Sequence, residues 1–172
     1  MNESVFGTEG NVMPSNLKEK VADFLSHERI AVAGVSRNTN SPGAANIIYK
    51  RLRDTGYHVY AVNPNADEVE GDRCYHSVKD IPEPVDGVVI ATPESAAEQV
   101  VRDCADVGIK RVWMHNGIHS MGTSVSKSAA EFCQQHDMMV IAGACPLMFG
   151  KPSDGFHRFM GKALTFFGRM PT

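Results

Sequence analysis

The amino-acid sequence predicts a doubly wound α/β fold built around a mostly parallel sheet. Short apolar runs recur along the chain, and helical stretches separate them. The runs are IAVAGV at 30–35, YHVYAV at 57–62, GVVIA at 87–91, RVWMH at 111–115 and MMVIA at 138–142. Near-continuous apolar strands that alternate with helices are typical of a parallel sheet covered on both faces. Because crossovers between parallel strands are right-handed, we expect the topological switch point between the first strand and the strand at 87–91.

The chain before the first strand divides into a leader and a helix. Residues 1–15 mix Gly, Asn, Ser and Pro without apolar periodicity, which predicts a flexible leader. Asn16 is expected to cap the helix, with Glu19 three residues later in the arrangement of a capping box. The apolar side chains that share one face of this helix are Leu17, Val21, Phe24 and Leu25.

The helices expected between the strands span 44–54, 95–106 and 124–136. Gly56 and Gly108 stand where two of them would end in a left-handed residue. Ser95 with Glu98 suggests a capping box at the start of the second. A short additional strand is expected at 72–77, before a Pro-containing link.

The last part of the chain, 149–172, is expected to form a helical extension of the central domain, which spans 16–148. Its apolar residues at helical spacing are Phe156, Phe159, Met160, Ala163 and Phe167. A basic and aromatic helix of this kind also suits a membrane surface. Packing on the domain or on a second subunit is favoured, because Gly155 and Gly161 weaken an isolated helix. A homodimer held by this segment is the corresponding hypothesis.

Composition excludes several classes of protein. The 172 residues are 42% hydrophobic, which suits one domain, and the net charge of −3 with scattered Lys and Arg argues against a nucleic-acid partner. No apolar run approaches the roughly 20 residues that cross a bilayer, and the N-terminus lacks the order of a secretion signal. We therefore expect a cytoplasmic protein with no membrane partner. The four cysteines lie far apart without a C-x-x-C pair and are expected to be reduced and mostly buried.

Small polar residues follow each predicted strand, and together these turns are expected to line one cleft. In the first loop, Gly34 allows close backbone approach and Ser36 offers a hydroxyl. The helix that begins near Pro42 and Gly43 points unpaired N–H groups toward this loop. The pattern indicates an anion site, although a strand-to-helix turn without a ligand would also use these glycines.

Two departures weaken a plain NAD site. The G-x-G-x-x-G spacing is absent, and the acidic residue that usually follows the second strand to bind the ribose is replaced by Asn63. A nucleotide with an additional phosphate on its ribose suits this strand end better. An NAD(P)-dependent oxidoreductase, with NADP as the cofactor, stays open as the alternative reading.

The order of the strand-end motifs resembles a known family. The motifs are G-x-S after the first strand, V-N-P after the second, Thr-Pro at 92–93, a Trp followed by a Gly turn at 113–117, and Cys-Pro at 145–146. This order, from Glu28 to Pro146, is similar to the stand-alone CoA-binding domain family. That family is Rossmann-like and similar to the CoA-binding domain of the succinyl-CoA synthetase alpha subunit.

The resemblance implies that coenzyme A or an acyl-CoA binds across the strand ends, with its phosphates near the first loop. The cofactor-binding residues that it implies, with neighbouring donors, are Gly34, Val35, Ser36, Arg37, Asn40, Ser41, Asn63, Pro64, Thr92, Pro93, Asn116 and Gly117. Two positions depart from the family pattern. His115 stands where members commonly have Gln, and no acidic residue follows Cys-Pro shortly after.

No catalytic constellation is evident. His115 and His119 straddle the turn at Asn116, which disfavours a metal site. Cys145 has no neighbour in sequence that would lower its pKa, so it is expected to be a structural thiol. The resemblance, with no catalytic constellation beside it, implies CoA binding without catalysis.

Overall fold

The predicted parallel sheet is present and has seven strands within the described residues. The structure is a computed structural model that describes residues 14–38, 43–117 and 123–153. The strands are β1 (Arg29–Ala33), β2 (His58–Val62), β3 (Glu68–Val69), β4 (Asp72–Tyr75), β5 (Gly87–Ile90), β6 (Arg111–His115) and β7 (Met139–Ala144). Their order is β3-β4-β2-β1-β5-β6-β7, and every neighbouring pair is parallel except β3 and β4.

Helices cover both faces of this sheet. They are α1 (Leu17–Ser26), α2 (Ala44–Asp54), α3 (Glu94–Asp106) and α4 (Lys127–Gln135), and short 3₁₀ turns lie at Val78–Asp80 and Pro146–Met148. Phe24 of α1 and Leu52 of α2 belong to one apolar layer, and Val101 of α3 and Cys133 of α4 belong to the other. β1 and β5 are neighbours, yet the helices that follow them lie on opposite faces. The predicted fold class and switch point are therefore confirmed.

Most helix ends follow their local sequence signals. Asn16 Oδ1 accepts a hydrogen bond from the Glu19 backbone N–H at 3.0 Å. Gly56 and Gly108 have φ angles of 95° and 77°, in the left-handed region as predicted. The predicted capping box at Ser95 is wrong, because Pro93 occupies the cap position of α3 and Ser95 is the second helical residue.

The hairpin of β3 and β4 is a feature that the sequence predicted only in part. The strand expected at 72–77 is present as Asp72–Tyr75, whereas its two-residue partner β3 is too short for an alternating pattern to reveal it. Glu70 and Gly71 turn the chain between them, both with positive φ. The Tyr49 hydroxyl of α2 donates to Asp72 Oδ2 at 2.8 Å, which fastens the hairpin to α2.

Several expectations lie partly or wholly outside the described residues. These include most of the leader at 1–15 and most of the extension at 149–172, with its proposed role in dimerisation. The four cysteines are free and buried, as predicted. Across the part of the chain that is described, no helix has the length and apolar character needed to cross a bilayer.

Candidate functional site

The carboxyl ends of β1, β2 and β5 meet tightly at Gly34. This residue has a φ of 105°, and its N–H donates to the Val62 carbonyl at 2.9 Å. A Cβ atom added at Gly34 would lie only 2.6 Å from the Ala91 carbonyl oxygen. Glycine is therefore required here both by the backbone angle and by the close approach of the chain after β5.

The first loop continues from Gly34 with residues that differ in exposure. The Val35 side chain is fully buried in the apolar core, so only its main chain is available to a ligand. Ser36 Oγ accepts from the Asn38 backbone N–H at 3.1 Å, and Arg37 is exposed. Arg37 forms no ion pair with another described residue. Asn40 and Ser41 lie outside the described residues.

The loop is held by Asn46, a fully buried residue of α2 that sequence analysis missed. Its side-chain amide accepts from Ser36 N at 2.9 Å and donates to Ser36 O at 2.8 Å. These two hydrogen bonds satisfy the Ser36 main chain in the way that a paired strand does. The same amide nitrogen donates to Glu70 Oε1 at 2.7 Å. Asn46 thus fixes the main chain of the first loop and joins it to the β3–β4 hairpin. The signal that would have found it is a polar residue inside the apolar stripe of Ala45 and Tyr49.

Asn63 ties the loop after β2 to the first loop. Its Nδ2 donates to the Val35 carbonyl at 2.7 Å, and its Oδ1 accepts from Asn65 N at 2.8 Å. An amide group has two N–H donors and two acceptor lone pairs, so one of each stays available. Asn63 therefore positions the two loops and retains a polar face.

The third wall of the site is the turn at Thr92 and Pro93, from which α3 begins. The Ser124 hydroxyl, nearly fully buried, donates to the Thr92 carbonyl at 2.5 Å. Ser124 N in turn donates to the His115 carbonyl at 2.8 Å. The chain after β6 thus supports this turn from behind, a contact that spans 32 residues and has no local sequence signal.

A cavity of about 490 Å³ opens between these three loops, on the α3 face of the sheet. Of the residues predicted for the site, Gly34, Asn63, Pro64, Thr92 and Pro93 line it. The other lining residues are Ala33, Val62, Asn65, His76, Ser77, Val78, Ala96, Gln99, Val100 and Asp103. The walls are mainly apolar, and the polar side chains lie on the turns after β2, β4 and β5 and on α3.

The predicted residues after β6 lie elsewhere on the carboxyl edge. Asn116 is exposed and pairs with Thr123 in an isolated antiparallel bridge, and neither Asn116 nor Gly117 lines the cavity. His115 is buried, and burial lowers its pKa to about 4, so its imidazole is neutral near pH 7. The cavity therefore takes in the ends of β1, β2, β4 and β5, and the assignment of Asn116 and Gly117 to a ligand stays a prediction.

Two of the buried cysteines have thiol pKa values that burial raises strongly. Burial raises the pKa of the Cys104 thiol and raises that of Cys133 to about 11, so both are protonated at neutral pH. No cluster of three metal-ligating side chains occurs in the described parts of the chain. His119, the second member of the histidine pair, lies outside them.

The doubly wound sheet with a cavity at its switch point defines a Rossmann-like α/β domain. Residues 28–151 match the family model described as the CoA binding domain. The chain belongs to this family, as its strand-end motifs predicted.

Relatives of two sizes share the domain. The chain is 33% identical over 124 residues to the ADP-forming acetate–CoA ligase II of Archaeoglobus fulgidus, covering 69% of this chain but only 18% of the ligase. It is 25% identical over 134 residues to the uncharacterized protein YneT of Bacillus subtilis, covering 77% of this chain and 93% of YneT. A solved hypothetical protein from Pyrococcus horikoshii OT3 has a TM-score of 0.67 and 27% identity, covering 81% of this chain and 93% of the other.

Proposed function

We propose that this protein binds coenzyme A or an acyl-CoA at the carboxyl edge of its sheet and carries out no catalysis of its own. The adenosine occupies the cavity at the switch point, and the phosphates lie toward the first loop. The observation that carries the proposal is the cavity itself, since three separate strand ends contribute five of the predicted residues to it. Membership of the CoA-binding family supports the choice of ligand.

The cavity suits a purine nucleoside in size and in chemistry. Its volume of about 490 Å³ falls within the range of roughly 300 to 1,000 Å³ that is usual for small-molecule sites. Val62, Val78 and Val100 provide apolar walls for the flat faces of a base. Asn63, in place of the usual carboxylate after β2, leaves no fixed negative charge at that strand end to repel a phosphate on the ribose.

The phosphates have two sources of attraction near the first loop. α2 begins after Gly43, which provides no side-chain cap, so the first N–H groups of the helix are available to an anion. Such a helix end contributes only about 0.3 to 1 kcal/mol at a surface. The exposed Arg37 supplies a full positive charge in the same loop. Arg37 is accordingly the main phosphate partner in this proposal, and the helix end orients the group.

The proposal concerns the binding domain alone. The chain spans 18% of the ADP-forming ligase that it resembles. The similarity is therefore no basis for proposing that this chain catalyses the ligase reaction. The buried free thiols favour a reducing compartment such as the cytoplasm. Self-association through residues 153–172 stays a prediction from the sequence.

CoA is expected to raise the melting temperature of the protein. Ligand at 100 times its dissociation constant adds about 2.7 kcal/mol to the free energy of unfolding, which a thermal-shift assay measures readily. We expect stabilisation by CoA and acetyl-CoA, and a smaller effect of ADP, NAD and NADP at equal concentration. Stabilisation by NADP but not by CoA would replace the proposal with the oxidoreductase reading. No shift with any of the five would indicate a scaffold without a nucleotide ligand.

The variant Ser36→Asp is expected to bind CoA at least about tenfold more weakly. The new carboxylate would stand in the loop assigned to the phosphates, and like charges a few ångströms apart near a surface repel by more than the roughly 1.4 kcal/mol that tenfold represents. Isothermal titration calorimetry measures the change. Ser26→Asp adds the same charge at the end of α1, beside the opposite edge of the sheet, and should leave the affinity unaltered. Equal CoA affinities of the two variants would contradict the assignment of the phosphates to this loop.

A further inference from the structure

Among the polar side chains that line the cavity, three form a hydrogen-bonded cluster that the strand-end motifs do not include. Ser77 follows β4, and Gln99 and Asp103 stand one turn apart on α3. They face a cavity whose remaining walls are largely aliphatic or are formed by strand-end turns. Gln99 and Asp103 are the polar side chains that α3 contributes to this cavity.

Asp103 organises this cluster. Its Oδ2 accepts from the Ser77 hydroxyl at 2.9 Å, and its Oδ1 accepts from Gln99 Nε2 at 2.9 Å. Lys79 Nζ lies 3.0 Å from Oδ1 and balances the charge. Partial burial acts to raise the pKa of Asp103, but the hydrogen bonds from Lys79, Gln99 and Ser77 outweigh it and hold the pKa below its usual value. The carboxylate is therefore ionised near pH 7 and accepts hydrogen bonds only.

An ionised Asp103 fixes which way the Gln99 amide points. The amide must present its NH₂ group to the carboxylate, because turning it over would bring Oε1 against Oδ1. One N–H of Gln99 is used in this way. Its second N–H and its Oε1 make no hydrogen bond to the described residues, and Gln99 lines the cavity. The chain thus presents a donor and an acceptor side by side in a fixed order.

We propose that Gln99, oriented by Asp103, selects adenine over guanine in the cavity. The inference rests on the proposed function and identifies how the base is recognised. Adenine offers its N6 amino group beside the N7 or N1 acceptor, which matches the fixed Oε1 and N–H of Gln99. Guanine offers O6 at the same place, so two acceptors would meet.

A glutamine that turned freely would not discriminate in this way. Rotated by 180°, the amide pairs with guanine O6 and N1–H as well as it pairs with adenine in the other orientation. Asp103 prevents that rotation through the hydrogen bond at 2.9 Å. Gln99 is therefore the specificity-determining residue, and Asp103 is a positioning residue that acts through it.

The test compares adenosine 3′,5′-bisphosphate with guanosine 3′,5′-bisphosphate by calorimetry, beside CoA itself. A good bidentate pair discriminates between bases by about 10- to 100-fold, and we expect a ratio of affinities in this range for the unaltered protein. Gln99→Leu should bring the ratio to within about threefold. Asp103→Asn allows the Gln99 amide to turn over. It should therefore also reduce the ratio, because the affinity for guanosine 3′,5′-bisphosphate rises relative to that for adenosine 3′,5′-bisphosphate. Gln135→Glu changes an exposed glutamine of α4 outside the cavity and should keep the original ratio.

The ratio is the decisive readout, because a general loosening of the fold weakens both ligands together. Gln99 is exposed, so its replacement should not prevent folding. A ratio that is the same in the unaltered protein and in Gln99→Leu, with CoA still bound, overturns the inference and leaves the proposed function standing. An unaltered protein that binds neither CoA nor either bisphosphate overturns both.

Discussion

The variant Gly34→Ala is expected to lose about 4 kcal/mol of its free energy of unfolding. An alanine held at a φ of 105° costs about 1 to 3 kcal/mol in backbone strain. Its Cβ would in addition lie 2.6 Å from the Ala91 carbonyl oxygen, and overpacking against a rigid partner costs about 1 to 3 kcal/mol more. The strain cannot relax locally, because the Gly34 N–H is bonded into the sheet and the main chain after it is held by the side chains of Asn63 and Asn46.

Urea denaturation followed by tryptophan fluorescence measures this loss. The chain has one tryptophan, Trp113, and it is fully buried, so its emission reports unfolding of the sheet. Gly108→Ala is the matched control, since Gly108 has a φ of 77° but no atom within 4 Å of an added Cβ. It should cost only about 1 to 2 kcal/mol, the backbone part alone. Equal losses in the two variants would contradict the close approach of the chain after β5 to Gly34.

The parts of the fold that were predictable are those encoded over a few neighbouring residues. A buried parallel strand needs a short apolar run, and the runs at 30–35 and 87–91 placed the two strands of the switch point correctly. Helix ends at Gly56 and Gly108 follow because glycine takes a left-handed angle at no steric cost. Right-handed crossovers then reduce the possible orders of the central strands to a few.

The contacts that organise the candidate site were not predictable in this way, because they join residues far apart in sequence. Asn46 bonds to Glu70 across 24 residues, and Ser77 bonds to Asp103 across 26. Each is an ordinary polar residue in its own segment. Only Asn46 carried a local hint, since its apolar neighbours on α2 made it a buried amide in need of partners.

The cavity at the switch point receives residues from the ends of β1, β2, β4 and β5 but none from the described residues after β6. Distance from the switch point does not explain this, because β4 and β6 are both two strands from β1 and the turn after β4 does line the cavity. β6 is two strands from β1, and the chain after it supports the turn at Thr92 through Ser124 instead of lining the cavity. Asn116 and Gly117 were assigned to the site by their place after a strand, which gives the edge of the sheet but not the position along it.

The variant Asn46→Asp is expected to lose about 3 kcal/mol of stability, although the new side chain has the same shape. The buried amide donates to Ser36 O and to Glu70 Oε1 through its nitrogen, and a carboxylate replaces that nitrogen with an acceptor. The new carboxylate oxygen would then face two other acceptors, Ser36 O and Glu70 Oε1, in a fully buried position. An unsatisfied polar group in such a position costs about 1 to 3 kcal/mol, and a charged one costs more. Urea denaturation measures the loss.

Asn46→Asp should also weaken the binding of the 5′-phosphate part of the proposed ligand more than that of its adenosine part. Because Asn46 holds the first loop and does not line the cavity, CoA should bind at least about tenfold more weakly, the equivalent of roughly 1.4 kcal/mol. Adenosine 3′-phosphate lacks the 5′-phosphates assigned to that loop, so its affinity should change much less. An equal loss for both ligands would mean that Asn46 supports the whole domain and not the loop in particular.

Glu70→Gln supplies the matched rescue. In the double variant Asn46→Asp with Glu70→Gln, the Gln amide can donate to the new carboxylate, so the hydrogen bond is restored with its direction reversed. We expect the double variant to recover more than half of the stability lost by Asn46→Asp, whereas Glu70→Gln alone should be slightly destabilising because its ion pair with Lys50 is lost. Additive losses in the double variant would contradict the direct coupling of α2 to the hairpin, because residues in one hydrogen-bond network show an interaction energy that independent sites do not.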